Sequence, residues 1–396
     1  MKKVLSVFLA LMMVPGLLSF AFAADAGHKL KFNDNGEFTI MHLCDLQDSY
    51  PMHDTVVQFV HEAIEQYKPD IVILGGDNTV CDYEDKEAAI EEICNLFVEE
   101  KTYFTLVFGN HDHQQGMEKE DLLKLYQRFG GEYCLAYDAV EELFGVGTHN
   151  LPIYASDGSD EIKFNLWMMD SNTYANDENG NEVGYDCVHE DQIEWYRNVS
   201  DSLKAQNGGE PVPSFVFQHI CVQEVFDELF LEVPKAVGVQ QFDKKGYSFL
   251  PLVYNIDDGF LFEFPCPGYY NYGQFDACVE QGDVLAMFFG HDHVNSYSVE
   301  REGIDLVCTA GCTYHSYGEL ANRGCRILTL NENNLKKYKN ETVSISEMCL
   351  KKDSKLAETT DITKFDAFWG VFGEKFLNVI VAIMRLMQYP LRFLSK

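Results

Sequence analysis

The chain has 396 residues, enough for a sizeable buried core, and its 63 Asp and Glu against 30 Lys and Arg give a formal net charge of −33. Such acidity repels polyanions at long range and excludes a nucleic acid polymer as a bulk partner. A small anionic ester is not excluded, because bound cations would dominate the local field.

The first residues carry Lys2-Lys3, an apolar stretch from Val4 to Phe20 and the small-residue site Ala21-Phe22-Ala23. This pattern predicts a signal peptide over 1–23, cleaved before Ala24, and so a secreted or cell-surface protein. Pro15-Gly16 interrupts a span already short for a retained membrane helix. From 24 to 345 neither a linker nor an internal repeat divides the chain.

Apolar runs and polar clusters then alternate. Phe38 to Leu43 leads into Asp45-Leu46-Gln47, Asp70 to Leu74 into Gly76-Asp77-Asn78, and Tyr103 to Phe108 into Gly109-Asn110-His111-Asp112. Ser214 to Phe217 leads into Gln218-His219, and Asp283 to Phe289 into Gly290-His291-Asp292-His293. Continuous apolar runs of this length are expected of strands covered on both faces. Between them, Val56, Val60, Ala63, Ile64 and Tyr67 form one helical stripe and Ile90, Cys94, Phe97 and Val98 another, which predicts an α/β core. Two loops rich in turn-forming or aromatic residues, Asn172 to Val188 and Phe260 to Tyr272, are expected over the rim.

Residues 346–364 are polar and read as a linker. The last segment, 365–396, is strongly apolar, with Glu374, Asn378, Arg385 and Arg392 on one helical stripe. It predicts an amphipathic helix lying in a membrane interface rather than crossing the bilayer, since Asn378 and Arg385 interrupt the apolar run. Docking on the protein's own surface and self-association are the alternatives.

Polar side chains at five strand ends would converge on one rim, and their types suit a pair of divalent cations. Two ions about 3.5 to 4 Å apart need a shared anionic bridge, a few ligands each, and open positions for phosphate and water. Asp77 is the natural bridge. Asp45, His293 and Gln47 would complete one site, and Asn110, His219 and His291 the other. On a plain strand His291 and His293 share a face, with Asp292 turned away. His111 would neutralise developing charge or protonate a leaving oxygen, with Asp112 fixing its tautomer. Gly76, Gly109 and Gly290 would let the backbone turn tightly at the ions. His42 is read as structural, and His53, His113 and His315 as possible substrate contacts. Twelve cysteines permit disulfides in an exported protein, but their pairing cannot be deduced and no CxxC pair signals zinc.

This order of motifs, from Phe38 to Leu330, resembles the calcineurin-like metallophosphoesterase superfamily. Leu166 to Ser171, Gly184-Tyr185, Asp191 to Tyr196 and Gly303 to Gly311 are similar to its purple acid phosphatase-like branch of fungal, plant and bacterial enzymes. The resemblance implies a two-sheet mixed β-sandwich flanked by helices, a pair of ions (Mn, Fe or Zn), and hydrolysis of small phosphate esters by metal-bound hydroxide. Broad phosphomonoesterase, nucleotidase and cyclic-nucleotide phosphodiesterase activities share the same ligands. Position 47 departs from the pattern, holding Gln where the family usually has His. That change leaves open a weakened protein that binds metal or phospho-ligand without turnover.

Overall fold

A computed structural model of the protein describes residues 29–233 and 248–388. The signal-like segment 1–23 and residues Arg392 and Lys396 lie outside them. Each apolar run becomes a strand because both of its faces find a partner. In Ile71–Leu74, for example, Ile71 and Ile73 point into the space between two sheets, and Val72 and Leu74 into a layer of helices.

One sheet has five strands in the order Tyr338–Ser344, Gly324–Asn331, Glu37–Leu43, Ile71–Leu74, Phe104–Leu106. The first two pairings are antiparallel and the last two parallel. The other has six, in the order Ser298–Arg301, Ile304–Cys308, Val284–Phe289, Ser214–Phe217, Ile162–Met168, His149–Tyr154, with antiparallel outer pairs around a parallel centre. Phe38, Ile40, Phe164, Phe215, Phe217 and Phe288 fill the seam between the sheets. Each such side chain contributes roughly 1.5–3 kcal/mol by leaving water. Helices Asp54–Tyr67 and Tyr83–Val98 cover the first sheet through Val56, Phe59, Ile90 and Ile93. Helices Glu190–Gln206 and Gln274–Gln281 cover the second through Trp195, Val199 and Phe275. This is the mixed sandwich flanked by helices.

The strand ends meet across the seam where Cys312 N donates to Cys44 O at 3.0 Å and His219 Nδ1 lies 2.9 Å from Gly75 O, and within each sheet the rim loops are tied to their neighbours. Asp45 N donates to Gly76 O at 3.1 Å, Gln47 N to Asp77 O at 2.8 Å, and Gly290 N to His219 O at 3.1 Å. Loops from both sheets therefore share one rim, where parallel strands present their carboxyl ends.

Two expectations need correcting. His291 and His293 do not alternate on a strand: the strand stops at Phe289, Asp292 N turns back to Gly290 O at 2.8 Å, and His291 takes φ 71°. Nor is 346–364 a bare linker. It contains most of helix Ile345–Cys349 and all of Leu356–Thr359, and buries Met348, Cys349, Leu356 and Ile362, whose few apolar side chains are spaced among lysines. The rim loop 172–188 holds a small hairpin, Tyr174–Asn176 with Glu182–Tyr185. The loop 260–272 is fastened by Asn295 Oδ1, which accepts from Phe262 N and Glu263 N, and by Asp292 Oδ1, which accepts from Cys266 N.

Candidate metal centre

Four side chains of the rim cluster sit on residues with left-handed backbone: Asp45 (φ 48°), Gln47 (37°), Asp77 (52°) and His291 (71°). Such conformations cost about 1–3 kcal/mol each in non-glycine residues and persist where surrounding structure enforces them. Here the loops are pressed together. A Cβ on Gly109 would lie 2.1 Å from Asp77 Oδ1, and one on Gly76, itself at φ 93°, would lie 2.6 Å from His219 Nδ1. Only glycine allows that approach.

The structure brings Asp45, Gln47, Asp77, His219, His291 and His293 together, all buried, and Asn110 is buried in the adjoining loop, next to His111, whose N–H reaches Asp77. One ligand atom from each of Asp77, His219 and His291 lies within 4.8 Å of the others. Asp77 is central. Its Oδ1 accepts from the His111 backbone N–H at 2.7 Å, and its Oδ2 lies 3.1 Å from Gln47 Nε2 and 3.2 Å from His219 Nε2. Asp45 Oδ1 is 3.5 Å from His293 Nε2 and 3.9 Å from His219 Nε2, and both Asp45 oxygens accept from the His291 N–H.

The tautomers follow from the partners on the far side of two rings. His219 Nδ1 lies 2.9 Å from Gly75 O, and His293 Nδ1 lies 3.1 Å from Tyr317 O. A carbonyl only accepts, so each Nδ1 carries a proton and each neutral ring presents a bare Nε2 to the carboxylates. Lone pairs then face lone pairs. His219 Nε2 and Asn110 Oδ1 are buried without a hydrogen-bond partner. A cation among them resolves the conflict, and this donor set of imidazole, amide and carboxylate fits divalent metal ions.

The electrostatics express the same conflict. Burial alone would raise Asp77, but His219 and His111 outweigh it and hold the carboxyl well below the usual range. Burial pushes Asp45 up to about 6 against the pull of His293 and His219. Although burial opposes protonation of His219, Asp77 and Asp45 raise it to about 10. His291, buried beside His219, falls to about 3. Without a metal, a proton on His219 supplies the missing positive charge.

His111 is half-buried, so its ring remains open to a ligand. Asp112 does not fix that ring's tautomer, contrary to expectation. Its oxygens accept from the N–H groups of Asp77 (2.9 Å), Gly109 (2.8 Å) and Asn78 (2.8 Å), so it ties two rim loops to each other. Burial and the Asp77 charge raise its pKa, partly offset by those N–H donors. His42 is wholly buried against Thr309 Oγ1 at 2.9 Å, and burial lowers it to about 3. His53 caps helix Asp54–Tyr67 and stacks on Tyr314. His315 Nε2 lies 2.7 Å from Asp48 Oδ1, and Asp48 also accepts from Ser49 N and His53 N. Asp48 is thus engaged away from the cluster. His113 is half-buried and its Nδ1 has no partner.

Three tyrosines reach the site without a role there in the sequence reading, which names Tyr185 only as part of a resemblance. Tyr317 stacks on His293 with ring centres 4.3 Å apart, Tyr185 sets its edge on His291 at 4.3 Å, and Tyr174 OH lies 3.2 Å from Asn110 Nδ2. For Tyr174 and Tyr317 the sequence signal is position in loops flanking the motifs. No disulfide joins the twelve cysteines, and ten of them are buried.

As placed, Gln47 donates to Asp77, and a half-turn of its amide would aim Oε1 at a cation instead. In either pose the site expected at Asp45 and His293 would have one imidazole, from His293, and is expected to be the weaker. The ion at Asp45 and His293 is therefore expected to dissociate first on dialysis, with Mn²⁺ refilling it best. Gln47→His should tighten that site at least about tenfold and turn its preference towards Zn²⁺ or Fe. Calorimetric titration of both proteins checks this; two equally tight ions in the native chain, unchanged in the variant, would show that Gln47 has no such role.

The sequence profile described as "Calcineurin-like phosphoesterase" matches residues 38–295. Two curated relatives from Arabidopsis thaliana are each 26% identical. "Probable inactive purple acid phosphatase 14" aligns over 75% of this chain and 76% of its own length, and "Probable inactive purple acid phosphatase 29" over 78% and 81%. Among solved structures, a dimetal phosphatase from Danio rerio is 12% identical, with 78% of this chain and 99% of that one covered and a TM-score of 0.46. GAP50 of the Plasmodium inner membrane complex is 11% identical, with coverages of 85% and 95% and a TM-score of 0.47.

Proposed function

The chain belongs to the calcineurin-like phosphoesterase family, and from that premise we propose that it is an exported two-metal hydrolase of small phosphate esters. The observation that carries this reading is the unpartnered His219 Nε2, 3.2 Å from the Asp77 carboxylate, together with a buried, unpartnered Asn110 Oδ1 in the loop that also carries the partly exposed His111. The export reading rests on the pattern over 1–23.

When bound, a pair of divalent cations supplies Lewis-acid charge and lowers the pKa of water. The rest falls to the chain. Asp77 would bridge the ions, Asp45 and His293 would hold one, and Asn110, His219 and His291 the other. Gly75 O and Tyr317 O take up the Nδ1 side of His219 and His293, which leaves Nε2 as the nitrogen each ring offers to an ion. His111 would stand over the phosphoryl group and stabilise charge on its oxygens or pass a proton to the leaving oxygen.

A second reading is favoured by Gln47, which donates to Asp77 where the family usually supplies a ligand, and by the word "inactive" in the names of both Arabidopsis relatives. In that reading the protein binds metal or a phospho-ligand without turnover. Metal analysis of the purified protein, with a panel of phosphate mono- and diesters, separates the two: a bound pair without hydrolysis favours the binding protein. For the enzyme, His111→Ala is expected to keep the metal content and lower the rate by about 10²–10⁴-fold, since its work is in the transition state. A variant with unchanged rate would remove His111 from the mechanism.

A further inference from the structure

The helix Lys364–Gln388 is docked with its polarity reversed. A surface helix of a soluble domain normally buries its apolar stripe and shows its polar one. Here one stripe of small and polar residues, from Ala367 and Gly370 through Glu374 to Arg385 and Gln388, faces the body, while Lys364, Asp366 and Lys375 are exposed. Ala367 and Gly370 are buried, and a Cβ on Gly370 would lie 2.2 Å from Ser346 Oγ. Glu374 and Asn378 line a cavity of about 220 Å³ shared with Asp258 and Glu347. Gln388 Nε2 donates to Pro251 O at 2.9 Å. The docking is poorly satisfied, for Glu374 Oε2, Arg385 Nε and Gln388 Oε1 are buried without partners.

On the opposite side an apolar face runs the length of the helix. Phe365, Phe368, Trp369, Phe372 and Phe376 are each at least half exposed, and Leu386 near the far end is 77% exposed. The helix is long and apolar enough to cross a membrane, and only 11% of its most apolar window is buried. Yet it touches the body from Gly370 to Gln388, so it lies along the protein rather than standing away from it.

We infer that this face inserts flat into the interfacial region of a lipid bilayer rich in anionic headgroups, and so holds the protein against a membrane surface. Two features select lipid over a second copy of the chain. From 364 to 396 the sequence has five basic and two acidic residues, while the whole chain carries −33. Self-association through this helix would press two strongly acidic bodies together, whereas an anionic surface would meet a segment of net basic composition. Its aromatic half also suits the headgroup boundary, where Phe and Trp rings settle a few ångströms below the phosphates.

The test uses the chain from Ala24 onward, which retains every described residue, with vesicles of phosphatidylcholine alone or mixed with phosphatidylglycerol. The chain is expected to float with the mixed vesicles and more weakly with the neutral ones. A variant carrying Phe368→Gln, Trp369→Gln, Phe372→Gln and Phe376→Gln, all exposed positions, should keep its circular dichroism and metal content but lose at least about tenfold in vesicle affinity. Depth is read by fluorescence, because Trp167 and Trp195 are buried and leave Trp369 as the responsive tryptophan. In a second protein, Trp369→Phe with Phe376→Trp moves the reporter to mid-helix. Quenching by lipids brominated near the glycerol supports a helix lying flat. Quenching only by bromines at the bilayer centre would mean a spanning helix and overturn the inference. So would equal flotation of parent and glutamine variant, or a discrete dimer that the variant dissolves while vesicles capture neither protein.

Discussion

Asp77→Ala is expected to strip both ions from the purified protein and to reduce phosphoester hydrolysis to background. The substitution removes more than one ligand. Asp77 Oδ1 holds the His111 N–H, and Oδ2 faces both His219 and Gln47, so the same carboxylate organises loops from both sheets. Without it, Asp45 is the one cluster carboxylate left to balance two dications among buried imidazoles. Loss of groups that merely orient a ligand lowers metal affinity about 10–100-fold, so loss of the proposed bridge should exceed that for each ion. Asp77→Asn is the companion variant, since it keeps the shape and removes the charge; it too should lose metal. Elemental analysis after dialysis gives the answer, and an Asp77→Ala protein that kept two ions and its activity would show the centre to be misassigned.

Asp112→Ala is expected to fail differently, as a loss of fold. Three buried N–H groups, of Asp77, Asn78 and Gly109, all end on this one carboxylate. Each unsatisfied donor costs about 1–3 kcal/mol, so the variant should lose on the order of 3–9 kcal/mol, a large part of the 5–15 kcal/mol typical of a domain. Urea unfolding followed by circular dichroism measures it. A loss below about 1 kcal/mol would mean that water replaces the carboxylate at little cost.

Much of this arrangement could be read before the structure, for a physical reason. Strands covered on both faces write themselves as unbroken apolar runs, so Phe38 to Leu43 or Asp283 to Phe289 point directly at the polar residues that follow. What could not be read depends on partners remote in sequence. Asp112 looked like the neighbour of His111, but the donors that occupy it include N–H groups 34 and 35 residues away. Tyr317 aims His293 through a main-chain carbonyl, which no side-chain pattern reveals. The i, i+2 spacing of His291 and His293 suggested a strand, and the turn at Gly290 overrode it. Lysines around 351–355 hid the buried Leu356 and Ile362. The sequence did carry the polar stripe of the last helix, but a stripe alone does not say which side faces inward.

The carbonyls of Gly75 and Tyr317 that hold His219 and His293 belong to the main chain, and every residue type supplies one. No single substitution can delete them, although at position 75 any side chain would collide with Cys44 Sγ, 2.2 Å from where its Cβ would stand. The two imidazoles are therefore insulated from mutational drift in a way that side-chain partners would not allow. Variation that tunes which ion is taken up, or silences the site, is channelled to positions whose own side chain matters. Position 47 is one of these, because exchanging its side chain alters one ion's surroundings and leaves the carbonyls that aim both imidazoles untouched.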